Sequence, residues 1–159
     1  MLFRSRTITD LKQLEPGFVS VTCGAAGSTR RKTADLVVRI QKEIGLTAMA
    51  HMTCTGQTRQ ELAETLDYLQ REGMENVLAL RGDPPRDEPG WRPVADGFRH
   101  ANELVAFVRE GWDFSIGGAY YPETHHEAPD PATDLLNLKR KVESGVDFLI
   151  TQLFFENWH

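Results

Sequence analysis

Arg81-Gly82-Asp83 sets a cation, a glycine and a carboxylate in consecutive positions, just after the apolar stretch Val77 to Leu80 and just before two prolines. Such a triplet can be a solvated turn. It can also be the mouth of a ligand site, where the charges meet a ligand and the glycine lets the backbone come close. Similar groups follow other apolar stretches. Thr22-Cys23-Gly24-Ala25-Ala26-Gly27-Ser28-Thr29 is built of small residues ahead of a helical pattern, either a phosphate loop or a glycine-rich turn. It lacks the lysine of a Walker loop and is not GxGxxG. His51, Thr53 and Cys54 close one stretch, and Tyr120, Tyr121, Glu123, His125 and His126 follow another. Thr151 and Gln152 interrupt a last one. His51, Asp83, Glu123 and the His125-His126-Glu127 run could ligate a metal, but no two sit at a metal-ligand spacing on a helix, so no metal is expected. A metal-dependent barrel hydrolase would use the histidines and leave Gln152 unexplained. Cys23 and Cys54 read as packed small side chains, since no base is dictated beside either.

The elements that must position these groups are legible from periodicity. Five short apolar runs, Phe18 to Thr22, Ala48 to Cys54, Asn76 to Leu80, Phe114 to Tyr121 and Phe148 to Phe155, read as strands covered on both faces. Helical patterns separate them. Thr58 and Glu61 have capping-box spacing ahead of Leu62, Leu66 and Leu69, with Gly73 as a stop. Further helices end at Gly45, Gly111 and Gly145, the last with Pro131 near its start, and Thr7 to Glu15 reads as a helix before the first strand. Strand starts recur roughly every 28 to 38 residues, the length of a βαβ unit. The fold class is therefore α/β: parallel β/α repeats with right-handed crossovers. A complete (β/α)8 barrel takes about 250 residues. Residues 1–159 are accordingly expected to be an incomplete barrel, about five strands of eight, with a complete small open sheet as the alternative.

In parallel α/β folds ligands bind at the C-terminal ends of the strands, where the groups above collect. The last helix adds to them. At 100° per residue, Asp134, Asn137, Arg140 and Lys141 share about a third of its circumference, and Leu135, Leu136, Leu138 and Val142 lie opposite. That arc is either a wet face or a clamp for a polyol and diphosphate, and spacing leaves both open.

Bulk properties bound the partners. The 159 residues are 40% hydrophobic and 26% charged, with a formal net charge of −5, which argues against nucleic acid or an anionic membrane as main partner. No apolar run approaches the about 18 residues of a membrane span, and the start of the chain has no signal-peptide core. Two cysteines are too few for a disulfide framework and point to a reducing cytoplasm with free thiols.

Taken as a set and in this order, "FVSVTCGAAGSTR", "AHMTCTGQTRQEL", "LALRGDPP", "AYYPETHHEAPD" and "DLLNLKRKVESGVDFLITQLFFEN" resemble the methylenetetrahydrofolate reductase family from about Leu11 to Asn157. The resemblance implies a (β/α)8 barrel that holds FAD at the strand C-termini and is reduced by NADH or NADPH. The reduced flavin then passes a hydride to 5,10-methylenetetrahydrofolate, giving 5-methyltetrahydrofolate. It also implies a place in one-carbon metabolism and methionine biosynthesis, and a homo-oligomer in the full-length protein.

Carried over by position, the flavin shell would comprise Thr22, Ala25, His51, Arg81, Gly82, Asp83, Ala101, Tyr121, His125, Asp134, Asn137, Arg140 and Lys141, with Cys23 and His100 also in it. The last two depart from the family, which usually has tyrosine at Cys23 and frequently at His100. Arg140 and Lys141 would neutralise the diphosphate. Asp83 and Gln152 would be the catalytic pair: Asp83 near the reacting end of the flavin and the pterin, Gln152 offering its amide to folate or nicotinamide. Family members open with a strand carrying Phe-Glu-Phe-Phe-Pro-Pro, whose glutamate is the general acid. An upstream strand of that kind is expected in an extended reading frame, and the family's seventh and eighth strands, which supply further substrate contacts, are not expected within residues 1–159. Loss of such an acid costs roughly 10² to 10⁴ in rate. A chain without these parts would serve instead as a non-catalytic FAD-binding remnant or an interaction module.

Overall fold

The computed structural model describes residues 2–22, 27–84 and 92–156. Five strands, β1 (Val19–Val21), β2 (Ala48–Thr53), β3 (Asn76–Leu80), β4 (Ser115–Tyr120) and β5 (Phe148–Thr151), form one parallel sheet in the order β1-β2-β3-β4-β5. Helices α2 (Gly27–Arg39), α3 (Arg59–Arg71), α4 (Ala101–Gly111) and α5 (Pro131–Glu143) link them, and α1 (Leu2–Lys12) precedes β1. Every strand lies beside its sequence neighbour, so the winding never reverses. This is barrel topology rather than that of a doubly wound sheet, and the five strands make a curled half-barrel.

Register decides what each face holds, because paired residues of parallel strands share a face. Val21, Ala50 and Val77 align with Ile116, and Met52 aligns with Ala79. This row turns to the helices. It joins Leu62, Leu66 and Leu69 of α3 and Leu104, Val105 and Val108 of α4 in one buried cluster. Each of those six leucines and valines is fully buried and contributes about 1.5–3 kcal/mol. The alternate residues form the concave face: His51 aligns with Leu78, Leu78 with Gly117 and Gly117 with Phe148. Met49 and Leu78 are buried yet stand outside the helix-side cluster, as this alternation requires. Gly117 has a steric reason. A Cβ there would lie 2.7 Å from the Phe148 ring and 2.9 Å from Leu78 Cδ1, so glycine lets Phe148 lie across the floor of the concave face.

Local signals act as their chemistry demands. Thr58 and Glu61 form the reciprocal capping box of α3. Asp130 caps α5 by accepting from Thr133 N–H at 2.8 Å, with Pro131 at its first turn. On the side opposite the strand C-termini, Arg109 of α4 donates to the carbonyls of Gly145 and Phe114 and to the Asp147 carboxylate, which also accepts from Ile116 N–H.

Several expectations need correction. Helix α2 begins at Gly27, before the apolar periodicity starts, and becomes a π-helical turn over Ile40–Ile44 that ends at Gly45. Polar residues of good helix propensity extend a helix without leaving an amphipathic signature. Helix α1 ends at Lys12, and Glu15 takes φ +49° just before Pro16. Strand β5 ends at Thr151, so Gln152 follows the strand instead of lying inside it, although its N–H still donates to Tyr120 O at 2.6 Å. Its residues alternate between half-buried and exposed and are not covered on both faces. Helix α5 exposes part of each arc, Asn137 and Arg140 of the polar one included. Leu135, Leu136 and Val142 are exposed, at 63%, 47% and 43%, while Asp134 and Lys141 are half-buried against the rim. No described helix is long and apolar enough to cross a membrane.

Candidate functional site

The concave face rises to a polar rim at the strand C-termini. Thr22 follows β1, and the register places it level with His51. Thr53 aligns with Leu80, so Thr55 and Gly82 stand level two residues further on. The two loops are joined there, since Thr55 N–H and Oγ1 both donate to Arg81 O, at 3.1 and 3.0 Å. Gly82 takes φ +79°, and a Cβ on it would stand 2.8 Å from Thr55 Oγ1 and 3.0 Å from Thr53 Cβ. The turn after β3 thus requires glycine for conformation and for space. Beside it a cavity of about 90 Å³ is lined by Cys54, Thr55, Arg81, Gly82, Pro84 and Phe98, among others.

Arg81 and the β4–α5 loop form the charged heart of the rim. Both terminal nitrogens of Arg81 donate to Glu127, at 2.5 and 2.9 Å. This pairing raises the pKa of Arg81 and holds the Glu127 carboxyl below its ordinary value. Glu127 N–H donates to His125 Nδ1 at 3.1 Å. His125 Nδ1 is therefore an acceptor, and the neutral ring carries its proton on Nε2. Burial lowers the pKa of His125, aided by the charges of His126 and Arg81. The His125 ring meets Tyr121 edge-on at 4.6 Å, and its backbone N–H donates to Asp134 Oδ2 at 3.0 Å. The loop is fastened on its other side as well, since Phe155 N–H donates to Glu123 at 3.1 Å.

His51 differs from its neighbours. Its Nε2 is buried and has no hydrogen-bond partner among the described residues, and burial lowers its pKa. A buried polar atom of this kind calls for an explanation, and a bound ligand is one. Lys141 is likewise partly buried, with its pKa lowered by burial, and donates from Nζ to Ala119 O at 2.7 Å. Among the described residues this uses one of its three donors.

The expected residues are thus only partly gathered by contacts. Arg81, Tyr121, His125 and Asp134 form one connected group, with Gly82 tied to Thr53 and Thr55. Lys141 reaches β4. Asn137 and Arg140 bond each other at 3.2 Å on the exposed side of α5. Asp83 and Gln152 are exposed, at the tip of the β3 turn and directly after β5. His100 and Ala101 open α4, and the Cys54 thiol contacts His100 O at 3.5 Å. Burial pushes that thiol up to about 12, which fits a packed side chain. Cys23 and Ala25, with most of the small-residue loop, lie outside the described residues. Among the described residues no three His, Cys, Asp or Glu side chains are grouped to hold a metal. Glu127, weighed in the sequence only as part of a metal set, is the residue that joins Arg81 to His125. Its sole sequence signal was its place two residues after His125.

Parallel β/α units in barrel order, with a rim of glycine, cations and histidine at the strand C-termini, define a barrel-type protein whose candidate ligand site is on that face. The family model for methylenetetrahydrofolate reductase matches residues 2–158, and the chain belongs to that family. Among curated relatives, the 5,10-methylenetetrahydrofolate reductase of Salmonella typhimurium is 42% identical over 151 residues, covering 94% of this chain and 49% of the relative. Methylenetetrahydrofolate reductase 2 of Saccharomyces cerevisiae is 40% identical over 153 residues, covering 90% of this chain and 26% of the relative. A rice relative, 38% identical, bears the name probable methylenetetrahydrofolate reductase (NADH). The chain thus spans about half the length of the bacterial relative and about a quarter of the yeast one. Among solved structures, a Burkholderia cenocepacia protein provisionally assigned as a phosphonomutase shares the fold. It has a TM-score of 0.55 and 16% identity, over 91% of this chain and 63% of that one.

Proposed function

We propose that residues 1–159 are part of a (β/α)8 reductase domain that binds FAD at this rim and reduces 5,10-methylenetetrahydrofolate to 5-methyltetrahydrofolate with NADH or NADPH. The observation that carries the reading is a buried nitrogen, His51 Nε2, with no partner among the described residues, on the concave face of a chain of this family. The residues present fit such a group. His51 and His125 offer ring nitrogens, Arg81 keeps N–H groups free of Glu127, Gly82 opens its backbone, and Lys141 keeps two donors for an anion. Thr22, Cys23, Ala25, His100, Ala101, Tyr121, Asp134, Asn137 and Arg140 are the further members of the shell that the family's pattern implies.

FAD supplies, when bound, a two-electron relay: hydride in from the nicotinamide, hydride out to the methylene carbon of the folate. The chain's own residues set the conditions for it. Asp83 holds the amino groups of the pterin with its two acceptor oxygens, and its charge disfavours further negative charge nearby. Gln152, freed from the strand, turns its amide to folate or nicotinamide as each takes its place. Arg140 and Lys141 balance the diphosphate charge. The apolar floor of Met49, Leu78 and Phe148 keeps water from beneath the site.

The test is made on the intact protein. It is expected to bind FAD, and the yellow colour should bleach under anaerobic NADH or NADPH and return on adding 5,10-methylenetetrahydrofolate. A folded protein that stays colourless with excess FAD rejects the reading in favour of a non-catalytic module.

A further inference from the structure

Glu127 joins two loops that the chain keeps far apart. Its carboxylate takes both terminal nitrogens of Arg81, which follows β3, and its N–H takes His125 Nδ1 in the β4–α5 loop. Asp134 holds the His125 backbone, and Glu123 holds Phe155 at the other end of the same loop. We propose that Glu127 is a positioning residue of the cofactor site. It latches the β4–α5 loop onto the end of β3, fixes the plane of the Arg81 guanidinium, and sets His125 as the Nε2–H tautomer. Both side chains then present donors to the ligand without reorganising.

The inference rests on the FAD reading and deepens it. The end-on bidentate pair leaves Arg81 with Nε–H and two further N–H bonds. The side chains of Arg81 and Glu127 are 31% and 49% exposed, so the pair adds little to global stability. Its value is pre-organisation, because side chains already fixed lose less freedom on binding. His126, whose Nε2 lies 3.6 Å from the same carboxylate, is 73% exposed and adds a weak hold.

A double-mutant cycle in the intact protein tests this, with Glu127→Gln and Arg81→Met made singly and together and FAD affinity read by quenching of flavin fluorescence. Glu127→Gln is expected to weaken FAD binding about tenfold when Arg81 is present and under about twofold in the Arg81→Met background. The urea midpoint should stay unchanged. In the FAD-free protein, amide exchange across residues 125–128 should quicken about fivefold or more in Glu127→Gln as the latch opens. Equal losses of affinity in both backgrounds, with a lowered midpoint, would reduce Glu127 to a structural part. Tighter FAD binding in Glu127→Gln would show the carboxylate competing with the ligand for Arg81. If the parent protein takes up no FAD, the FAD reading falls. The exchange experiment then decides the latch alone, and unchanged exchange overturns it.

Discussion

His51 carries Nε2 into the sheet's concave side without a partner among the described residues. Leaving such a group unsatisfied costs about 1–3 kcal/mol, whereas an apolar side chain of similar size costs little. His51→Leu should therefore stabilise the ligand-free protein by about 1 kcal/mol in urea titration, while FAD affinity falls. The histidine also sets a pH dependence. Burial holds its pKa below the ordinary value, so the unfolded chain takes the proton first. Its contribution is complete above about pH 6.5 and is lost as the pH falls toward the folded value. That acid sensitivity should vanish in His51→Leu. Gly82→Ala adds a Cβ at φ +79° against Thr55 and should cost at least about 1–2 kcal/mol. His51 was legible in the sequence because it breaks an apolar run, and Gly82 because it lies between two charges. Glu127 was not, because an acid in a loop looks like a solvated charge until the fold brings Arg81, 46 residues away, against it.

At the scale of elements, α5 is the instructive case. Its sequence divides into a polar and an apolar arc, and periodicity says nothing about which arc is covered. Packing decides. Lys141 crosses β4 beside Gly118, Asp134 meets the β4–α5 loop, and Leu135, Leu136 and Val142 are left exposed. The end of β5 is hidden in the sequence for a related reason, since apolar residues continue to Phe155 after the ladder stops at Thr151. Helix α3 was legible throughout because cap, stripe and stop agree. Two outcomes test the elements. Gly117→Ala forces Phe148 off the concave floor and should cost about 1–3 kcal/mol by urea unfolding. Arg109→Ala strips hydrogen bonds from Gly145, Phe114 and Asp147, linking α4 to β4 and β5. It should lower stability by about 1–3 kcal/mol. The Asp147 carboxyl is held below its ordinary pKa by Ile116 N–H and then Arg109. Its contribution is present above about pH 4 and lost below that as the folded pKa is crossed, a loss that Asp147→Asn should abolish.

For the whole molecule, the repeat of strand and helix announced α/β architecture and a partial barrel, which the sequential strand order bears out. Five strands in unbroken sequential order make half of a barrel, and the chain spans 49% of the bacterial relative. On the proposal above, one ligand, FAD, lies on the rim where these strands end. A crystal structure of the intact protein grown with FAD tests it most directly. FAD is expected within hydrogen-bonding reach of His51 Nε2, with Arg81 and Lys141 around it. FAD bound elsewhere, for instance in the cavity of about 170 Å³ that Arg31, Gln57 and Tyr68 help to line between α2 and α3, with His51 still unpartnered, would contradict it.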